Sequence, residues 1–292
     1  MIISISRHSS KPIASAITAF LLLEFTLLTG CSSSDSTPFV PVEERFREAK
    51  AMFDDEDYLA AINEFTVITL QHQGSAYSDS AQFFLAECRF QRGEYLVAAT
   101  EYGYLRRSFP SSPLSAEAQY KLAMSYYNLS PKPMLDQQYT KKAVDEFQSF
   151  VEYYPTHAYA ADAAAKIMEL NTRLAKKAYE TARLYQVMEY FKSSLFYFDD
   201  VIEKYHDTQY APLAHLGKVE VLILRKKFDE AQMALQKFYD LFPNSVLKSE
   251  ADYLQKQINK RLQGDSNVSG KAGELLSPSR GQDLTQHQRE SR

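Results

Sequence analysis

The sequence predicts an all-α protein, a solenoid of five helical hairpins closed by a C-terminal capping helix. Three observations carry that prediction. A small residue and a second mark recur twelve residues apart five times: Ala61 with Gln73, Ala98 with Pro110, Ala143 with Pro155, Ser194 with His206, and Ala231 with Pro243. Four and seven positions after each small residue stand large apolar ones: Phe65 and Ile68, Tyr102 and Leu105, Phe147 and Phe150, Phe198 and Val201, Leu235 and Phe238. Those spacings line one helix face. Upstream of each small mark lies another compact residue, Ala49, Ala86, Ala123, Ala182 or Val219, so each unit reads as two helices crossing closely.

This spacing resembles the tetratricopeptide repeat, a helix-turn-helix unit of about 34 residues with small residues at the crossing and a proline after the second helix. The tryptophan and glycine signature of that repeat is missing, while Leu85-Ala86 and Leu122-Ala123 survive in first helices.

At the N-terminus, Arg7 and Lys11 precede an apolar stretch from Ile13 to Leu28 that ends in Leu28-Thr29-Gly30-Cys31. The segment resembles a bacterial lipoprotein signal peptide. It has a charged lead, an apolar run shorter than an ordinary span, and small residues before a cysteine that receives lipid. Cleavage would remove residues 1–30 and leave Cys31 as the lipidated first residue. A retained membrane anchor is the competing reading, and Glu24 inside the run departs from the usual signal pattern. Ser32 after the cysteine is, by the same resemblance, an outer-membrane sorting choice. Residues 31–41, polar and broken by proline, read as a flexible tether.

The solenoid is expected over residues 42–262. Successive repeat ends, Gln73, Pro110, Pro155, His206 and Pro243, lie 37, 45, 51 and 37 residues apart, so eight and fourteen residues are inserted in the middle. The eight fall in the third hairpin, where Ser130-Pro131-Lys132-Pro133 cannot continue a helix and predicts a longer loop. The fourteen fall in the first helix of the fourth hairpin, about 158–188, which holds no proline or glycine. Fourteen residues are close to four turns, so that helix lengthens without rotating its buried face and would join two lobes. Ser245 to Leu262 gives the cap, with Leu247, Ala251, Leu254 and Ile258 on one face. Residues 263–292, poor in apolar side chains, are expected to be a disordered tail.

Composition excludes several function classes. The net charge of −4 becomes −5 once Arg7, Lys11 and Glu24 leave with the signal segment, which gives no support to nucleic-acid binding. The mature chain keeps Cys31 and Cys88, and Cys88 reads as a space-filling buried thiol. The six histidines share no helix face with carboxylates or cysteines in metal-ligand spacing. No phosphate loop, nucleophile elbow or kinase motif set is present. The expectation is no catalytic residue, no metal, and no cofactor beyond covalent lipid on Cys31.

Two binding surfaces are predicted instead. Positions three before and four after the first-helix small residue point to the concave wall of such a repeat. They read Phe46 and Phe53, Phe83 and Phe90, Tyr120 and Tyr127 in the first three repeats. They are candidates for gripping an extended peptide. The bland alternative is that they are partly buried between neighbouring repeats, which must share a core. The cluster Arg225-Lys226-Lys227 is a candidate for an acidic partner or simply a solvated face.

Together these features resemble the BamD family, also called YfiO or ComL, of the outer-membrane β-barrel assembly machinery. The residues that carry the likeness are Leu28 to Cys31, the five repeats, Phe109-Pro110-Ser111-Ser112-Pro113, the prolyl loop at 131–133, and Arg173-Leu174-Ala175-Lys176 followed by Ala182 and Tyr185. The resemblance implies a non-enzymatic scaffold anchored to the outer membrane and facing the periplasm. Its C-terminal repeats would hold the periplasmic domains of a BamA-like barrel protein, and its N-terminal repeats would meet unfolded outer-membrane clients. A periplasmic repeat adaptor in cell-wall or envelope coordination is the alternative the repeats also fit.

Overall fold

The computed structural model describes residues 40–275, with side chains to residue 263; Cys31, the expected signal segment and most of the expected tether lie outside this range. Eleven helices fill the described residues. They are α1 (Val42–Asp54), α2 (Tyr58–Gln71), α3 (Ser78–Gln91), α4 (Tyr95–Ser108), α5 (Ser115–Leu129), α6 (Gln138–Tyr153), α7 (Ala160–Val187), α8 (Phe191–Lys204), α9 (Tyr210–Leu224), α10 (Phe228–Leu241) and α11 (Lys248–Leu275). Each helix packs on the next in sequence, α1 also touches α3, and α9 lies beside both α7 and α11. The result is five hairpins and a cap.

The residue ladder becomes the core. All five second-helix small residues, all ten apolar residues that follow them, and all five first-helix small residues are fully buried. Burying each Phe or Leu contributes roughly 1.5–3 kcal/mol, and the small residues let the two helices approach closely enough for that burial. In the fourth hairpin the small mark is Ser194, whose hydroxyl donates to the Ala182 carbonyl at 2.9 Å. Burial of this hydroxyl is thereby offset within the crossing itself.

Both turn types repeat. Between hairpins, His72, Phe109, Tyr154, Tyr205 and Phe242 end their helices with φ from −126° to −130°. Three of them precede proline, which drives its predecessor out of the helical region; His72 and Tyr205 adopt the same geometry without it. Within hairpins, Glu56, Gly93, Glu189 and Lys226 take positive φ between 59° and 75°. Each closes a Schellman motif, as in Glu189 N–H to Gln186 O at 3.0 Å and Tyr190 N–H to Tyr185 O at 2.9 Å. Only Gly93 adopts this conformation without a Cβ penalty. Replacing the exposed Glu189 by glycine is expected to stabilise the fold by about 0.5–1 kcal/mol. Urea unfolding of the two proteins checks this, and equal midpoints would contradict it.

Three hairpins share a polar clamp that the last two lack. Arg45 bonds Glu64 at 2.5 Å, Gln82 bonds the Glu101 carboxylate at 2.7 Å, and Gln119 bonds the Glu146 carboxylate at 2.7 Å. The corresponding positions in the fourth and fifth hairpins are the buried Ala178 and His215. Burial and the nearby Lys218 and Lys237 hold the His215 pKa below its usual value, so the ring sits neutral against Phe242.

The long helix α7 belongs to two cores. Its Ala163, Leu170 and Leu174 pack with Phe147 and Phe150, while its Ala178 and Ala182 pack with Phe198 and Val201. The cap departs from expectation: α11 continues to Leu275, past the Leu262 boundary beyond which a structureless tail was expected. No proline interrupts residues 248–275, and glycine weakens a helix already nucleated by its packed first turns by only about 1 kcal/mol per residue. Residues 276–292 lie outside the described range.

Candidate functional site

The six concave-wall aromatics of the first three hairpins are brought together, and mostly against one another's neighbours. Phe46 sits 5.8 Å from Phe65 and 5.1 Å from Tyr77, and Phe53 lies between Tyr58 and Phe84 at 5.6 and 5.2 Å. Phe83 is buried, edge-on to Tyr102 at 5.9 Å, which leaves it no face for a peptide. Phe90 packs on Tyr95 at 5.2 Å and carries the Lys121 ammonium 5.4 Å from its ring centroid. Tyr120 contacts Phe147, Phe150 and Tyr159, and its hydroxyl donates to Asp162 at 2.5 Å. Tyr127 donates to Glu169 at 2.8 Å, with Lys166 over its ring at 4.3 Å. Burial, followed by these carboxylates, pushes both tyrosine pKa values up, so both remain neutral donors.

These aromatics therefore join adjacent repeats, and all but Phe83 keep partly exposed edges. The junction residue that sequence reasoning missed is Phe84, which meets Phe46, Phe53, Phe65 and Phe83 between the first two hairpins. Its position beside Phe83 was the available signal.

Behind this wall, Glu87, Tyr102 and Lys121 form a polar knot across α3, α4 and α5. The Tyr102 hydroxyl donates to Glu87 Oε1, and Lys121 Nζ lies 2.9 Å from the same oxygen. Burial first, then the Glu87 charge, holds the Tyr102 pKa far above its usual value. Cys88, next in sequence, is buried in the first core, and burial pushes its thiol up to about 12. An unreactive thiol follows.

An open groove lies in the other lobe. The end of α7, the end of α9 and the first turns of α11 enclose a groove of about 380 Å³, whose lining includes Gln186, Glu220, Ile223, Leu224, Tyr253 and Leu254. Leu224 is 55% exposed and Tyr253 61%. The last turns of α7 also expose Leu184, Val187 and Met188. Glu220 is held by Arg183 at 2.6 Å and Gln186 at 2.9 Å, which leaves a polar floor edge beside an apolar lip. Exposed apolar area of this kind marks interaction surfaces.

The cluster Arg225-Lys226-Lys227 is the Schellman turn that follows Leu224 at the end of α9. Lys227 pairs with Glu230 at 2.6 Å, whereas Arg225 and Lys226 make no ion pair among the described residues. Among the described residues no group of three or more His, Cys, Asp or Glu could hold a metal, and no helix is long and apolar enough to cross a membrane.

The family described as YfiO, outer membrane lipoprotein, matches residues 39–222, more than half of the chain. The chain belongs to that family. The YfiO match covers the first four hairpins and most of α9, and so includes both the aromatic wall and the α7 side of the groove. A curated relative from Rickettsia prowazekii, named outer membrane protein assembly factor BamD, is 29% identical over 81% of this chain and 95% of its own length. A relative of the same name from Caulobacter vibrioides is 24% identical over 74% of this chain and 73% of its own. Among solved structures, the tetratricopeptide-repeat domain of P58(IPK) aligns with 91% of this chain and 71% of that one, at 15% identity and a TM-score of 0.39.

Proposed function

We propose that this chain is a non-enzymatic scaffold lipoprotein of outer-membrane protein assembly. Cys31 carries its lipid anchor and the solenoid faces the periplasm. The C-terminal groove receives a periplasmic domain of a BamA-like barrel protein, and the first three repeats meet unfolded barrel clients through the exposed edges of Phe53, Phe90, Tyr120 and Tyr127. The assembly role is supported by the family and by the names of its relatives. The division of labour rests on one observation: the open groove with exposed Leu224 and Tyr253 at its lip and Glu220 and Glu250 in its lining lies in the second lobe, where Arg225 and Lys226 follow Leu224 in sequence.

The test is affinity purification of the full lipidated chain from detergent-solubilised envelopes, beside the double variant Leu224→Asp, Tyr253→Ala. Two anchors worth about 2 kcal/mol each predict barrel-protein binding weaker by several hundredfold, read as loss of the co-purifying barrel protein. A peptide ending in the aromatic residue of a barrel strand should still bind the variant. Equal recovery of the barrel protein would refute the groove as its site, and loss of both ligands together would refute the division between lobes. Recovery of other envelope proteins in place of a barrel protein would point to the adaptor function.

A further inference from the structure

The loop of the third hairpin, residues 130–137, is exposed and yet firmly held. Gln137 is buried at its root, where its Nε2 donates to the carbonyls of Lys132 at 2.9 Å, Pro133 at 3.3 Å and Leu135 at 3.1 Å. Its Oε1 accepts from the Thr140 hydroxyl at 2.7 Å. From α7, Arg173 donates to the Ser130 carbonyl at 3.1 Å and Lys177 to the Leu135 carbonyl at 2.6 Å. So anchored, the loop turns Met134 and Leu135 outward, 67% and 58% exposed. Ordering a loop costs conformational entropy, and here the ordered tip returns no apolar burial within the chain.

The surroundings are cationic. Lys132, Lys141, Lys142, Lys176 and Lys177 flank the loop along its own backbone, the start of α6 and the middle of α7, and none makes an ion pair among the described residues. Of the carboxylates near these lysines in sequence, Glu146 is held by Gln119 and Arg106 and Glu169 by Arg173 and Tyr127, which leaves Asp136, Asp145 and Glu180 beside the lysines, in a chain whose net charge is −4.

We propose that this loop docks on anionic phospholipid headgroups, with Met134 and Leu135 entering the boundary between headgroups and acyl chains and the lysines facing phosphates. An exposed apolar pair flanked by lysines that make no ion pair among the described residues suits an anionic interface, whereas an acidic protein segment would be better met by a concave pocket. The family is one of outer membrane lipoproteins. A tether of eleven residues from Cys31 would keep the start of α1 within roughly 36–40 Å of a bilayer. The inference takes only that proximity from the anchor reading and nothing from the groove.

The experiment uses the full lipidated chain with Met134→Cys carrying an environment-sensitive fluorophore, reconstituted in vesicles of phosphatidylcholine with or without phosphatidylglycerol. Burial of Cys88 and acylation of Cys31 leave one labelled thiol, and the mass of the Cys31 peptide reads the anchor separately. A blue shift with phosphatidylglycerol, weakened by salt, is expected. Each lysine near an anionic surface contributes about fivefold to binding, so Lys132→Glu with Lys176→Glu should lower the embedded population at least about 25-fold. Both positions are exposed, and unchanged helicity verifies the fold. Equal emission in both vesicle types would overturn the proposal, as would a shift that appears only when co-purifying envelope proteins are added.

Discussion

Gly217→Ala is expected to destabilise the solenoid by about 1–2 kcal/mol, although alanine is normally the better helix former. An added Cβ at this α9 position would stand 2.4 Å from Cζ and 2.6 Å from Cε1 of Phe198. Phe198 is fully buried between α7, α8 and α9, so its ring has no vacant volume to enter. Overpacking a tight core costs about 1–3 kcal/mol and occasionally more, against a propensity gain of about 0.5–1 kcal/mol; the clash dominates. Phe198→Leu is the informative companion. It costs stability by itself but makes room, so the double variant should be more stable than the sum of the two single losses. Urea unfolding of all four proteins measures that coupling. A neutral or stabilised Gly217→Ala protein would show that α8 and α9 are not packed in this way.

Lys121→Met is expected to cost about 2–3 kcal/mol. It removes the cation that lies 2.9 Å from a carboxylate with only 8% of its side chain exposed, and leaves Glu87 with the Tyr102 hydroxyl as partner. Breaking a buried pair from one side costs about 3–5 kcal/mol, discounted here because Lys121 itself is partly exposed. Replacing all three, with Glu87→Met, Lys121→Met and Tyr102→Phe, should return to within about 1 kcal/mol of the parent, since the desolvated charge is gone and no buried hydroxyl is left without its acceptor. If the single lysine variant unfolds at the parent's urea concentration, the knot contributes nothing and Glu87 must be better solvated than its burial implies.

The ladder was legible because every one of its residues answers to a local rule. Small residues at a crossing, large ones four and seven positions on, and a break twelve positions on describe one helix and its end, whatever the neighbours are. The same reasoning located the prolyl loop and the long helix. It set six aromatics at equivalent positions of the first three repeats and left open whether they faced a ligand or each other. Tyr127 shows why: its ring packs on Phe147 and its hydroxyl reaches Glu169 on α7, 42 residues away. Leu224 and Tyr253 went unnoticed for a similar reason. They lie on different helices, hold no equivalent repeat position, and make a groove only because α7, α9 and α11 meet there. Phe84 likewise gained its role from two hairpins closing around it.

Periodicity along the chain thus determined the helices, their five pairings and the turns between them. Those features depend on backbone geometry and on which face of a helix is apolar, and both are written in spacings of a few residues. Tertiary structure decided which concave surface is closed and which is open, how Gln137 and Arg173 hold the 130–137 loop outward, and that Gly217 has no room for a methyl group. Each of these depends on distances between residues on separate elements, set by how side chains of particular size fill the space between stacked hairpins.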